Sequence, residues 1–142
     1  MQEGVGAGVD CGAFQVLENA LVYVDVKRDY NQDGNLVAAT RHLRQPLSGS
    51  DNIWYNPDNQ KSVPQIGDWT VRFDFLTPGD TEFAIETDTG AGSRVLLSSG
   101  PVLVMEAGRA VFGPPPDFEI QFAAGHHRIL FGDFTRVCAA LT

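Results

Sequence analysis

Three polar side chains at alternate positions are the residues most suggestive of ligand chemistry: Asp29, Asn31 and Asp33. With the glycine at position 34 they match D-x-N-x-D-G, the opening of a calcium loop in which alternate oxygen atoms face one ion. Thr40 occupies the twelfth position, where that motif requires a bidentate acid. An Asp- and Asn-rich hairpin tip explains the same residues. Calcium is therefore the one candidate cofactor, and a plain hairpin is the alternative.

A second polar stretch places two aromatic rings beside amide and acid groups: Trp54, Tyr55, Asn56 and Asp58. These residues lie within 44–67, a segment that is poor in apolar residues and long for a loop of a compact domain. Exposed rings beside such groups suit stacking on a sugar or anchoring in a protein interface. The alternative is that both rings fold back over the core and fix the loop.

The other candidates for chemistry are weaker. His126 and His127 are adjacent, and neighbouring residues of a strand point to opposite faces, so these two side chains do not share one ion. We expect a structural or surface role for them. The chain contains no G-x-S-x-G elbow and no cysteine-nucleophile signature, and we expect a protein that is not an enzyme.

The charge balance excludes several classes of partner. The chain has 10 Lys and Arg residues against 18 Asp and Glu residues, a formal net charge of −8. Nucleic acids and anionic membranes require clustered basic residues, so neither is an expected partner. No stretch reaches the roughly 18 apolar residues of a membrane span. Residues 1–11 lack the basic start and apolar centre of a signal peptide, which predicts synthesis in the cytoplasm, with prior removal of a signal as the alternative.

Two cysteines lie near opposite ends of the chain, Cys11 and Cys138. In a cytoplasmic protein we expect two separate, partly buried thiols. A disulfide would require the two Cα atoms to lie within about 7 Å of each other. Sequence alone leaves that alternative open.

Period-two alternation of apolar and polar residues is the main structural signal. Residues 20–27, 69–75, 82–88 and 117–122 each alternate in this way, as strands of an antiparallel sheet with one wet face do. The pattern predicts an all-β fold, an antiparallel β-sandwich or jelly roll of about eight or nine strands. The predicted organisation is a Gly-rich N-terminal arm over residues 1–12 and a single domain over 13–142, with a long loop at 44–67.

Turn residues predict where the strands end. Residues 33–35 and 78–80 have the composition of hairpin turns. The glycines at positions 90, 92 and 108 interrupt apolar runs and are predicted to end strands. Residues 128–137 are apolar on both faces and are predicted to form a last, central strand.

A partial likeness to a known family covers less than half of the chain. Residues 69–75 form a predicted strand, Pro78 and Gly79 a turn, and residues 88–90 an Asp-Thr-Gly segment, with Ala-Gly-His following at 124–126. This order resembles the protective-antigen-type sugar-binding β-sandwich family. The resemblance implies a sandwich fold and, with it, calcium-assisted binding of carbohydrate. Family members use adjacent aspartates for calcium, whereas here a threonine follows the aspartate of the segment.

Two functions from different classes follow as hypotheses. The first is a structural, non-enzymatic subunit of a larger assembly, namely a phage virion accessory protein such as a capsid decoration (cement) or tail component. Its partners would be other copies of the chain or a capsid or tail lattice, and its final location would be the virion. The Gly-rich arm would contact the neighbouring subunit through Val5, Val9 and Cys11. The second is a calcium-assisted carbohydrate-binding module with a glycan as partner.

Overall fold

The computed structural model describes residues 2–46, 51–97 and 102–142. These residues form nine strands and one short helix, which confirms the predicted all-β class and antiparallel sandwich. The strands are β1 (Gln2–Asp10), β2 (Gln15–Ala20), β3 (Tyr23–Tyr30), β4 (Leu36–Arg44), β5 (Ile53–Tyr55), β6 (Ser62–Thr77), β7 (Asp80–Leu96), β8 (Val102–Phe112) and β9 (Ile120–His127), and the helix is α1 (Thr135–Leu141). In the described part of the chain, no helix is long and apolar enough to cross a membrane.

Strand β6 joins two branches of one antiparallel sheet. The first branch has the order β1-β2-β5-β6, and the second has the order β3-β4-β6-β7-β8-β9. Residues 62–64 of β6 pair with β5, whereas residues 68–74 pair with β4. We call the region around the first branch the closed end. The six strands of the second branch, beyond residue 67 of β6, are called the open sheet.

The hydrophobic core lies in the closed end. Along the first part of β6, burial alternates, with Val63, Gln65 and Gly67 buried and their neighbours more exposed. Such alternation shows that one face of the strand is covered by a second layer. Helix α1 contacts β6 and β8 there, whereas the last part of β7 pairs with β6 as its neighbouring strand. The buried core residues are Val9, Val16, Trp54, Val63, Val95, Leu103, Val104, Val137 and Leu141.

The C-terminal segment differs from its prediction. Turns occupy residues 128–132, and α1 begins at Thr135, so the predicted central strand at 128–137 is wrong. Val137 and Leu141 are one helical turn apart and both fully buried. An apolar segment without clear period two fits a turn followed by a short helix as well as a strand. Periodicity alone therefore could not assign it.

The N-terminal segment is part of the domain and not a separate arm. Residues 2–10 form β1, which pairs with β2, and Val5 lies opposite Glu18 in this pairing. Val9 is fully buried in the core. The prediction of two separate thiols is also wrong, because β1 delivers Cys11 to helix α1, where it forms a disulfide with Cys138. The Cα atoms of the two cysteines are 5.5 Å apart.

The open sheet has one mainly apolar face and one polar face, and most side chains on both faces are half-buried or exposed. Directly opposed residues of antiparallel strands share a face. The apolar face is formed by Val24, Val26, Leu43, Trp69, Val71, Phe73, Ala110 and Phe112, and the polar face by Asp25, Lys27, His42, Thr70, Arg72, Thr89 and Arg109. In residues 69–75 of β6, no side chain on either face is fully buried. This part of the molecule is therefore a single layer.

A line of glycines and β-bulges separates the closed end from the open sheet. Gly90, Gly108 and Gly125 lie side by side on β7, β8 and β9, each with a positive φ. Register shifts interrupt the β6–β7 pairing near residue 67 and the β7–β8 pairing near residue 92. The prediction that glycines 90, 92 and 108 end strands is wrong, because these glycines bend continuous strands instead. The hairpins at 33–35 and 78–80 are confirmed.

The bend line supplies a test of the fold. A Cβ atom at Gly108 would lie 2.1 Å from the carbonyl oxygen of Ala124, and its φ of +134° is strained for any other residue. We expect Gly108→Ala to lower the free energy of unfolding by about 1–3 kcal/mol or more. Gly6→Ala is the control, because a Cβ atom there meets nothing within 4 Å. Chemical denaturation of both variants checks this, and equal stabilities would contradict the assigned role of the glycine line.

Candidate functional site

The three proposed calcium ligands lie at the β3–β4 hairpin, where protein partners engage two of them. The Asn31 side-chain oxygen accepts hydrogen bonds from the backbone N–H groups of Asp33 and Asn35, at 3.0 and 2.9 Å. The carboxylate of Asp29 contacts Lys27 at 3.0 Å and Arg72 at 3.3 Å. The hydrogen bond from Lys27 holds the pKa of Asp29 below its ordinary value, with Arg72 adding to the effect. Two of the three side chains thus already have protein partners.

Among the described residues, no group of three or more His, Cys, Asp or Glu side chains is placed to hold a metal ion. The hairpin residues instead form a surface ion-pair network on the polar face. Calcium at Asp29, Asn31 and Asp33 stays a prediction that the geometry does not favour.

The aromatic segment of the predicted long loop belongs to the core. Strand β5 and the start of β6 lie within residues 44–67, and Trp54 is only 3% exposed. Its ring packs 6.2 Å from that of Phe134, measured between centroids. Trp54 therefore cannot stack on a sugar or anchor a partner, and the alternative in which this ring folds back over the core is the one observed. Tyr55, next to it, is half-buried.

The neighbouring polar residues have a structural role as well. The buried Asn56 donates from its side-chain nitrogen to the carbonyl oxygen of Leu141, at 3.0 Å. Its side-chain oxygen accepts the backbone N–H of Asp58, at 2.9 Å. Asn59 donates to the same carbonyl of Leu141, also at 3.0 Å. These contacts fix the last turn of α1, whose carbonyl groups lack partners within the helix.

A cavity that the sequence analysis missed lies on the apolar face beside the bend line. Its volume is about 290 Å³. One wall is the glycine line with the ring of Trp69, and another is the turn at residues 128–132. Three ionisable side chains point at this region from β7, β8 and β9: Asp88, Glu106 and His127.

His127 and Glu106 form a buried ion pair in the cavity wall. His127 is 8% exposed, and its Nδ1 atom contacts the carboxylate of Glu106. Its Nε2 atom lies 3.0 Å from the carbonyl oxygen of Ala124, which can only accept a hydrogen bond. Both ring nitrogens therefore face acceptors, which favours the imidazolium form. The hydrogen bond to Glu106 is the main reason that the pKa of His127 is raised.

Glu106 also ties the following turn to the sheet. Its second carboxylate oxygen accepts the backbone N–H of Leu130, at 3.0 Å. His126, on the other side of β9, is exposed. The two adjacent histidines therefore lie in different environments, as expected for neighbouring residues of a strand. Because both nitrogens of His127 are engaged by protein acceptors, the ring has a structural role.

Asp88 is the unusual group of the site. It lies opposite Val71 and Ala110 on the apolar face, and its Oδ1 atom is buried without a hydrogen-bond partner. Burial raises the pKa of Asp88 to about 7, with the charge and hydrogen bond of Glu86 and the charge of Glu106 adding to the rise. A carboxyl group in this state exchanges its proton near neutral pH. In its neutral form it can enter an apolar contact without the cost of burying a charge.

A sequence signal for these acids existed. The two-residue loop between β6 and β7 makes odd-numbered residues of β6 oppose even-numbered residues of β7. The register shift between Phe75 and Thr77 is by two residues, so this parity holds along β6 back to Asp68. Glu86 and Asp88 must therefore share a face with Val71 and Phe73. The alternation within β7 alone does not show which of its faces aligns with the apolar face of β6, so the position of these two acids was missed.

Comparison of this chain with protein-family models, with curated proteins and with solved structures finds no match. The resemblance to the protective-antigen-type family is neither supported nor refuted by this result. Function must therefore be argued from the site and the surfaces alone.

Asp88 provides a test of the site's electrostatics. Its pKa is about 7 in the folded protein against an ordinary value of 3.8. At pH values between these two pKa values, the folded state binds more protons than the unfolded state does. The contribution of Asp88 to the free energy of unfolding is therefore fully present below pH 4 and is lost as the pH rises through 7. We expect Asp88→Asn to melt above the wild type at pH 8, with a smaller difference at pH 5.

Thermal melts at both pH values check this expectation. Asp33→Asn removes one carboxylate from the exposed hairpin tip and is the control for a general change in net charge. A melting difference between Asp88→Asn and the wild type that is the same at pH 5 and pH 8 would contradict the raised pKa.

Proposed function

We propose that this protein is a structural, non-enzymatic subunit of a larger assembly, with other copies of the same chain as its principal partners. The observation that supports this most is the uncovered apolar face of the open sheet. Val24 and Val26 on this face are 48% and 45% exposed, and Val71 and Phe73 are incompletely buried. An apolar sheet face needs a second layer, and the described chain does not provide one beyond the bend line.

The charges on the apolar face support a specific partner over nonspecific adhesion. Arg28 and Arg41 lie on it at the β3–β4 side, and Glu86 and Asp88 lie on it along β7. The guanidinium of Arg41 stacks on the ring of Phe73, 5.3 Å from its centroid. A partner must match these charges to avoid burying them unpaired. A second copy of the chain carries both signs and can do so.

The finer proposal is a phage virion accessory protein, a capsid decoration or tail component. It is supported by analogy between classes of domain, since small acidic β-domains without catalytic machinery suit such roles. The disulfide between Cys11 and Cys138 is compatible with a particle that is assembled in the cytoplasm and then released into an oxidising environment. The calcium-assisted sugar-binding alternative receives no comparable support, because Trp54 is buried and Asn31 completes a turn.

The apolar face can be tested by two substitutions at neighbouring positions of β6. Val71 lies on the apolar face and Thr70 on the polar face, and both are half-buried. We expect Val71→Glu to weaken self-association by about tenfold or more, because the new charge must be desolvated in the contact. Thr70→Glu should leave the association unchanged.

Light scattering across a concentration series measures the outcome, and circular dichroism verifies that both variants stay folded. A wild-type protein that is monomeric at every accessible concentration would contradict self-assembly. So would an oligomer that responds equally to both substitutions.

A further inference from the structure

We propose that copies join head to tail, the free edge of β3 in one copy adding to the free edge of β9 in the next. This inference rests on the proposed assembly function and adds to the covering of the apolar face a second contact, made edge to edge. In the described chain, β3 pairs only with β4 and β9 only with β8. The open sheet thus ends in two unpaired edges, whose backbone groups are templates for another strand.

Both edges are long and exposed. Strands β3 and β9 contain eight residues each, and nearly all of these are exposed. Large apolar side chains stand on both edges, where a neighbouring strand would cover them. On β3 they include Tyr23 and Tyr30, 55% and 58% exposed, and on β9 they include Ile120 and Phe122, 41% and 47% exposed.

The strand directions fit this mode of joining. All five pairings across the open sheet are antiparallel, so its first and sixth strands run in opposite directions. When a second copy is generated by rotation about an axis parallel to the strands, each of its strands runs in the same direction as in the first copy. The β9 strand of the second copy therefore runs antiparallel to the β3 strand of the first. The joined edges continue the same ladder pattern from one copy into the next.

The regions around the two edges differ in net charge, although β3 itself carries Asp25 and Asp29 as well as Lys27 and Arg28. Residues 23–44, the β3–β4 hairpin, have four basic residues against three acidic ones, although the whole chain is strongly acidic. Lys27 and Arg28 stand on β3 itself. Residues 106–127, which include most of β8 and all of β9, have three acidic residues against one basic residue. Asp117 and Glu119 immediately precede β9.

The strand register places Arg28 of one copy near Glu119 of the next copy. The pairing registers place Arg28 on the same cross-strand row as Phe112, whose partner on β9 is Ile120. Glu119 is next to Ile120 in the chain. Charged side chains on an edge strand also disfavour its pairing with unrelated strands.

Head-to-tail contacts use two different surfaces of each copy, so they build a ring or a filament and not only a pair. This consequence separates the proposal from a two-fold contact. It also permits a complementation experiment, because each edge can be altered without touching the other.

The experiment uses two charge-reversal variants of the full chain. The first carries Lys27→Glu with Arg28→Glu, and the second carries Asp117→Lys with Glu119→Lys. In each variant, residue 28 of one copy meets a side chain of the same charge at position 119 of the next copy. We expect self-association of each variant to weaken by about tenfold or more. An equimolar mixture should regain the association, because the acidic β3 of the first variant then meets the basic β9 of the second.

The control is Asp80→Lys with Glu82→Lys at the β6–β7 turn, which makes the same charge change as the second variant away from both edges. This control should associate like the wild type. If the wild type assembles but mixing restores nothing, or if the first variant alone still associates normally, head-to-tail joining is overturned and the assembly function stands. If the wild type does not assemble, the proposed function itself fails.

Discussion

The contact between the two ends of the chain holds the closed end together. Strand β1 and helix α1 both contribute fully buried side chains, Val9 from the first and Val137 and Leu141 from the second. The disulfide fastens the same contact, and Asn56 ties the end of α1 to the segment after β5. Because the loop closed by the disulfide spans nearly the whole chain, it restricts the unfolded state strongly. The open sheet depends on this anchored end, since it has no second layer of its own.

The bend line links this anchored end to the surfaces of the open sheet. Glycine at three neighbouring positions of the sheet allows β7 to approach β6, and β8 to approach β9, more closely than a Cβ atom would permit. The strands continue past the bend, and they place Asp88 in a half-covered apolar environment beside the His127–Glu106 pair. The same feature therefore shapes the cavity and leaves the rest of the apolar face open. An isolated apolar layer of this kind is incomplete as a monomer and is typical of a surface completed by a partner.

The sequence was informative wherever a local rule applied. Alternation in residues 69–75 predicted the strand, and the Pro-Gly turn at 78–79 predicted the hairpin. It was misleading wherever one residue type serves several roles. The glycine at 108 suits a strand end and a bend equally, and an apolar run at 128–137 suits a central strand and a turn followed by a helix. Trp54 was ambiguous between a binding platform and a core residue for the same reason.

The sequence by itself determined the all-β class, the antiparallel hairpins and the acidic surface, because these follow from local periodicity, turn chemistry and composition. Only the tertiary structure decided that Cys11 meets Cys138, that β1 belongs to the core, and that His127 pairs with Glu106. Each of these contacts joins residues far apart in the chain, and their distance depends on the strand order and register of the whole sheet. Local patterns do not fix that order. The uncovered face is likewise visible only once every element has been placed.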